Sequence, residues 1–247
     1  MALAPPAASI VRMRIAQWLL VALSWAAAAS AAAASFQVLP TLVEVPPDAS
    51  VASLTIRNPG TEPLSIQIDA QAWSQGVSGE VRTDTGDLVV VPRIAVIAPG
   101  AAQIVRMALR NQDRSREHAF RARFREIPPP APPGFLGVRT ALEIDLPVFF
   151  SVQEAAADLH WRASRTPEGL LELHAENRGN RFVRLVALQA VDARGAVLAE
   201  GRPPLYVLGG STTRIPLTTH ARLAQGDPVR LQIDLGGDRQ EHALTVE

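Results

Sequence analysis

Between Val138 and Val152 the chain reads VRTALEIDLPVFFSV. Val138, Thr140, Leu142, Ile144 and Leu146 fall on one side of an alternating pattern, and Arg139, Ala141, Glu143 and Asp145 on the other. A period of two is the mark of a β-strand with a single apolar face. The charges of the opposite face belong in solvent. Pro147 then removes a ladder donor, which strands tolerate at an edge or a bulge. The pattern therefore predicts a long edge strand carrying an apolar row. Such an edge can pair with another chain. The plainer alternative is that the row packs on its own sandwich core.

The same short-strand rhythm runs through the chain. Alternation or apolar runs predict strands at Phe36–Val45 (broken by Pro40), Ser53–Arg57, Leu64–Trp73, Leu88–Val96, Ala102–Leu109 and Ala119–Ile127. Turn signals separate them at Pro46-Pro47-Asp48, Asn58-Pro59-Gly60 and Ala98-Pro99-Gly100, and Gly76–Asp87 reads as a polar loop. A stiff proline tract, PPPAPPG, precedes the alternating stretch. After a break at Gln153–Asp158 a second set follows: Leu159–Arg162, Leu170–Glu176, Val183–Asp192, Ala196–Leu198, Tyr206–Leu208, Ser211–Pro216, Val229–Leu235 and His242–Val246. Helical periodicity is absent. The expectation is an all-β protein of two tandem immunoglobulin-like β-sandwich domains. No internal sequence repeat is evident between the halves. Trp73, Trp161, Phe149 and Phe150 are expected to fill sandwich cores.

The first residues change the compartment. Arg12 and Arg14, the run IAQWLLVALSW and the ending Ala32-Ala33-Ala34 have the charge, apolar core and cleavage layout of a secretory signal peptide. Domain expectations are a signal peptide over 1–34, a first domain over 35–153 and a second over 154–247. There is no cysteine, so an exported chain would do without disulfides or thiolate metal sites. Formal net charge is zero, so nothing suggests attraction to nucleic acid. Every basic side chain is arginine, and lysine is absent.

Candidate chemistry is sparse. His118, His160, His174, His220 and His242 form no metal-ligand spacing, and no nucleophile elbow, phosphate loop or dinucleotide fingerprint occurs. The residues point to no enzyme and no cofactor. A binding or structural role remains.

Several stretches, taken in order, are similar to the periplasmic pilus-assembly chaperones of the chaperone–usher pathway. They are the Asn58 turn, AQAW at Ala70–Trp73, VPRIAVIAPG, IVRMAL at Ile104–Leu109, REIPP at Arg125–Pro129 and the strand holding LPVFF. The resemblance implies a boomerang of two immunoglobulin-like domains in the periplasm. It implies that the last long strand of the first domain completes the unfinished sandwich of a pilus subunit, which passes on to an outer-membrane usher. The subunit-facing residues would be Leu136, Val138, Thr140, Leu142 and Ile144; Thr140 is less bulky than the usual aliphatic. The exposed apolar edge also allows two free copies to pair.

The resemblance further implies a basic pair gripping the subunit's C-terminal carboxylate, but those positions hold Leu42 and Pro147. The chain resembles instead the alternative or archaic branch, with an aromatic–arginine pair on the preceding strand. Phe120-Arg121 matches that pair and makes Arg121 the expected carboxylate anchor; the plainer reading is a solvated arginine alongside Arg123 and Arg125. Arg106 and Glu126 are expected to be structural, at the domain interface. A structural pilus subunit or adhesin, and a carbohydrate-binding sandwich, are the competing functions.

Overall fold

The computed structural model describes residues 36–110, 115–202 and 205–247. The expected signal peptide over 1–34 lies outside the described residues. Every regular element described is a strand. The first half contains β1 (Gln37–Leu39), β2 (Val43–Val45), β3 (Val51–Arg57), β4 (Leu64–Gly76), β5 (Gly79–Asp84), β6 (Leu88–Val91), β7 (Ile94–Ile97), β8 (Ala102–Leu109), β9 (His118–Glu126) and β10 (Glu143–Phe150). These form two facing sheets, β1-β3-β8-β6 and β2-β10-β9-β4-β5, with β7 alongside the first part of β4. Inward residues such as Ile56, Ile66, Ile68, Met107, Phe124 and Phe150 alternate with outward polar ones and close one core between the sheets.

Two expected strands are each divided between the sheets. Phe36–Val45 breaks at the cis Leu39–Pro40 bond, so β1 joins one sheet and β2 the other. Leu88–Val96 breaks at the cis Val91–Pro92 bond into β6 and β7. Proline has no amide to donate, so the ladder ends there. The expected loop Gly76–Asp87 contains a strand instead: β5 folds back on β4 through the two-residue turn Val77-Ser78.

The second half contains β11 (Leu159–Arg165), β12 (Leu171–Asn177), β13 (Val183–Leu185), β14 (Ala187–Val191), β15 (Val197–Glu200), β16 (Leu205–Val207), β17 (Ser211–Pro216), β18 (Thr218–Thr219), β19 (Pro228–Asp234) and β20 (Arg239–Thr245). The sheets are β11-β12-β17, β13-β16 and β18-β15-β14-β19-β20, around a core of its own that includes Leu173, Leu185, Leu188 and Leu231.

The halves share a device that composition hid. Asn58 follows β3 and Asn177 ends β12, and both side chains are buried. Asn58 Oδ1 accepts from Gly60 N, while its Nδ2 donates to the carbonyls of Glu62 and Ile97. Asn177 Oδ1 accepts from Gly179 N, while its Nδ2 donates to the carbonyls of Arg181 and Val207. One amide thus satisfies a turn and clamps a neighbouring strand in each sandwich. The segment joining the sandwiches is pinned at the second clamp: Ala156 O accepts from Asn180 N and Arg181 N, and Asp158 N donates to Asn177 Oδ1.

Trp161 and Phe150 fill sandwich cores as expected. Trp73 and Phe149 do not. They lie between the two sandwiches with Phe182, Leu208 and the partly buried Leu42, Ala119 and Tyr206. Phe149 stacks on Phe182 with centroids 3.6 Å apart, and Tyr206 meets Trp73 edge-on at 5.5 Å. Alternation explains this: Phe150 points into the first core, so Phe149 points the other way. Gln75 reinforces the contact, donating to Tyr206 O and accepting from Leu208 N. Arg181 pairs with Glu44 at 3.1 Å, and Phe182 N donates to Glu117 Oε1 at 2.7 Å.

Candidate functional site

The candidate site is built on β10 and its neighbour β9. The register sets Glu143 opposite Arg125, Asp145 opposite Arg123, Pro147 opposite Arg121 and Phe149 opposite Ala119. On its other side β10 pairs with β2 only from Val148 to Phe150. Among the described residues the outer edge of Glu143–Pro147 therefore faces no strand. Pro147 sits where its missing amide removes nothing from a ladder.

The apolar row behaves as a gradient. Val148 and Phe150 are fully buried and Leu146 is 5% exposed. Ile144 and Leu142 are half-buried against the first core. Thr140 is exposed, Val138 is 94% exposed and Leu136 is fully exposed. The row thus runs off the end of its own sandwich.

The strand itself is shorter than the alternation predicts. It begins at Glu143, and residues 128–142 have no regular structure. The register supplies the reason. Extended toward the N-terminus, it would set residues 138–140 against Pro130, Pro129 and Pro128, none of which can donate. The last bonds are those of Glu126, whose N donates to Leu142 O and whose Oε2 accepts from Leu142 N. Glu126 is buried and organises the start of the strand, inside the first sandwich. Arg106 is exposed on β8, paired with Ser53 and Val91 in the sheet across the core from β9 and β10. Neither residue takes part in the contact between sandwiches, contrary to the interdomain expectation. Glu44, Gln75 and Glu117 supply that contact.

Arg121 is not a solvated arginine. Alternation puts Phe120 and Phe124 in the core and turns Arg121, Arg123 and Arg125 to the opposite face, but the three differ. Arg125 and Arg123 reach Glu143 at 3.4 Å, and Arg123 Nη2 also donates to Gln71 Oε1 at 2.6 Å. The Arg121 side chain is only 11% exposed. Its guanidinium carbon lies 3.7 Å from the centroid of Trp73 and 5.6 Å from that of Tyr206, contributed by the second sandwich. Such stacking suits the weakly hydrated guanidinium plane. Its Nε is buried without a hydrogen-bond partner. The nearest carboxylate, Glu80 Oε1, stands at 3.8 Å, an ion pair without a hydrogen bond. Burial lowers the affinity of this guanidinium for its proton, and Asp145 and Glu80 oppose the shift. The result is a desolvated cation with unused donors, flanked by Trp73 of the first sandwich and Tyr206 of the second.

The positions without the basic pair lie in the same row. Pro147 is directly opposite Arg121, and Leu42 comes one step before the Val43–Val148 pair. Leu42 packs on the aromatic cluster. A cation is thus present one strand further into the sheet. Pattern reading missed Trp73, Tyr206 and Glu80, because their approach depends on the packing of the sandwiches and on the β4–β5 hairpin. The alternation of β4 and the AQAW motif signalled Trp73 but not which side it would face.

The competing functions fit less well. A pilus subunit needs a free N-terminal extension, whereas Phe36–Val45 is paired as β1 and β2. A sugar platform needs exposed aromatics, whereas Trp73 and Trp161 are buried.

Residues 35–154 match the family model described as pili and flagellar-assembly chaperone, PapD N-terminal domain. No curated protein sequence matches the chain at a significant level. Among solved structures, a chain of the CsuC–CsuE chaperone–tip adhesion subunit pre-assembly complex from archaic chaperone–usher Csu pili of Acinetobacter baumannii is 19% identical. That match covers 87% of this chain and 100% of that one, with a TM-score of 0.66. The Pseudomonas aeruginosa CupB2 chaperone is 18% identical over 85% of this chain and 100% of its own, with a TM-score of 0.55. A chain of the Salmonella enterica SafA pilin–SafB chaperone complex is 17% identical over 85% and 96%, with a TM-score of 0.59. At these identities the structures establish the fold.

Proposed function

The chain belongs, through residues 35–154, to the PapD-type pili and flagellar-assembly chaperones, and from that premise we propose that it is a periplasmic chaperone that binds, folds and caps pilus subunits. It lends them a strand and passes them to an outer-membrane usher. In this reading residues 35–153 form the chaperone domain with the lent strand, residues 154–247 form the second domain, and residues 1–34 direct export. The observation that carries the proposal is the apolar row that leaves its own core beside an unpaired edge.

The physics of the lent strand follows from that row. Each Leu, Ile or Val side chain moved from water into a client groove contributes about 1.5–3 kcal/mol. Leu136, Val138, Leu142 and Ile144 together, with a backbone ladder, offset association and ordering costs of about 4–15 kcal/mol. Thr140 contributes less. Pairing the edge also covers the client's own exposed edge, which is an aggregation hazard. No nucleotide is required; release follows when another subunit's extension replaces the lent strand.

Arg121 serves as the anchor for the subunit's terminal carboxylate. A charge-assisted hydrogen bond to guanidinium contributes about 1.5–3 kcal/mol, and more order is gained when the fork is held by stacking. The anchor fixes how far along β10 the client slides, which matters because a one-residue slip turns its apolar side chains to the wrong face. The test is co-expression of the chaperone with the subunit from its own operon, comparing wild type with Arg121→Ala. The expected result is a one-to-one complex for wild type and loss of the subunit for the variant. Undiminished recovery with Arg121→Ala would remove the anchor from the proposal.

A further inference from the structure

The anchor site is already partly occupied by the protein itself. Glu80 lies on β5, in the hairpin opposite Gln75, and its Oε1 is the nearest carboxylate oxygen to Arg121 at 3.8 Å. Its Oε2 accepts from Arg82 Nη2 at 3.0 Å. The other Arg82 nitrogen, Nη1, bonds to Asp145 Oδ2 on β10. A line of alternating charge therefore runs Arg121, Glu80, Arg82, Asp145, from the anchor to the edge strand. Trp73 covers Arg121 at 3.7 Å and Tyr206 approaches from the second sandwich. The guanidinium Nε is enclosed without a partner. A visiting carboxylate must therefore approach an Arg121 that already feels Asp145 and Glu80, of which Glu80 is the one in ion-pair contact. Glu80 itself is 39% exposed at its side chain and can leave by a rotamer change.

Building on the anchor reading, we propose that Glu80 is a specificity-determining stand-in for the client's carboxylate: it neutralises Arg121 in the free protein and yields only to a carboxylate delivered on an edge-pairing strand. The reason is competition. An isolated carboxylate must displace Glu80 with nothing but its own charge, and a neutralised, stacked guanidinium gives little return for doing so. A carboxylate at the end of a strand already pairing with β10 arrives at high effective concentration and wins the exchange. The device keeps small anions off a buried cation and reserves it for a chain terminus. It also ties the anchor to the lent strand through Arg82 and Asp145, both of which must readjust when β10 gains a partner.

The test uses the full mature chain and calorimetric titration with two probes. One is an acetylated eight-residue peptide of alternating threonine and valine with a free C-terminus, together with its C-terminal amide. The other is acetate. Wild type should bind the free acid more tightly than the amide and should be insensitive to acetate. Glu80→Gln keeps an oxygen for Arg82 and removes the charge; Glu80→Ala removes both. Each should raise affinity for the free acid roughly five- to tenfold, leave the amide unchanged and make binding of the free acid sensitive to acetate competition. Equal urea midpoints for the variants and wild type would verify folding. If wild type prefers the acid but neither variant gains, the stand-in role is refuted and the anchor stands. If wild type itself does not distinguish acid from amide, the anchor reading fails and the stand-in falls with it. An equal gain for the amide would assign the effect to the hairpin and also overturn the proposal.

Discussion

Val138→Asp separates the chaperone's stability from its work. Val138 is 94% exposed and lies outside the ordered strand, with no core contact to lose. Surface substitutions of this kind usually move folding stability by less than about 0.5 kcal/mol. In a client groove the same position would lose the burial of a valine, about 1.5–2 kcal/mol. It would also place a carboxylate where no partner is provided, adding on the order of 1–3 kcal/mol. The sum, about 2.5–5 kcal/mol, corresponds to capture weaker by roughly sixtyfold or more. Leu146→Asp is the contrast: Leu146 is 5% exposed in the first core, so that change should prevent folding. The assay pairs a urea melt of the purified chaperone with recovery of the subunit from periplasm after co-expression. Val138→Asp should melt with wild type and recover little subunit. Full recovery at an unchanged midpoint would refute the lent-strand reasoning, because the most exposed part of the row would then contribute nothing.

Other expectations follow from the contact between sandwiches. Burial raises Glu117 from the usual 4.5 to about 7, opposed by the Phe182 amide and Arg181, while Glu44 adds to the rise. Its folded-state value is above its unfolded one, so the ionised form destabilises the fold, and stability from this group is lost as pH rises from about 4.5 through about 7. Glu117→Gln should therefore be more stable than wild type at pH 8 by on the order of 2 kcal/mol and show no such gain at pH 4.5 in chemical denaturation; a pH-independent difference would contradict the assignment. Gly179→Ala should disturb the hinge between sandwiches, since an added Cβ would lie 2.2 Å from Ala156 O and 2.7 Å from Ala157 Cα. A loss of about 2 kcal/mol or more in thermal unfolding is expected, and a neutral result would show that the linker shifts freely. Leu142→Arg, at a half-buried position, should abolish subunit recovery while leaving the chaperone folded with a lower melting point.

Alternation and turn chemistry determined the class of fold, most strand positions and the apolar row of β10, because a period of two is a local property of the chain. The REIPP and LPVFF segments carried the resemblance, but the pairing of β9 with β10 came from the structure. What pattern could not determine was where each ladder stops. Residues 138–140 alternate as well as residues 143–146 do, yet only the latter face a partner with amides to give; continued, the register would set the former against Pro128–Pro130. Sheet switching at Pro40 and Pro92, and the β5 hairpin in an apparently polar loop, likewise depend on which strands lie alongside. The site divides in the same way. Alternation put Arg121, Arg123 and Arg125 on one face, but only the docking of the second sandwich, bringing Tyr206 against Trp73, makes Arg121 a desolvated, stacked cation and leaves the other two in ion pairs. Burial is set by elements distant in the chain, and it is burial that turns one of three similar arginines into a candidate anchor.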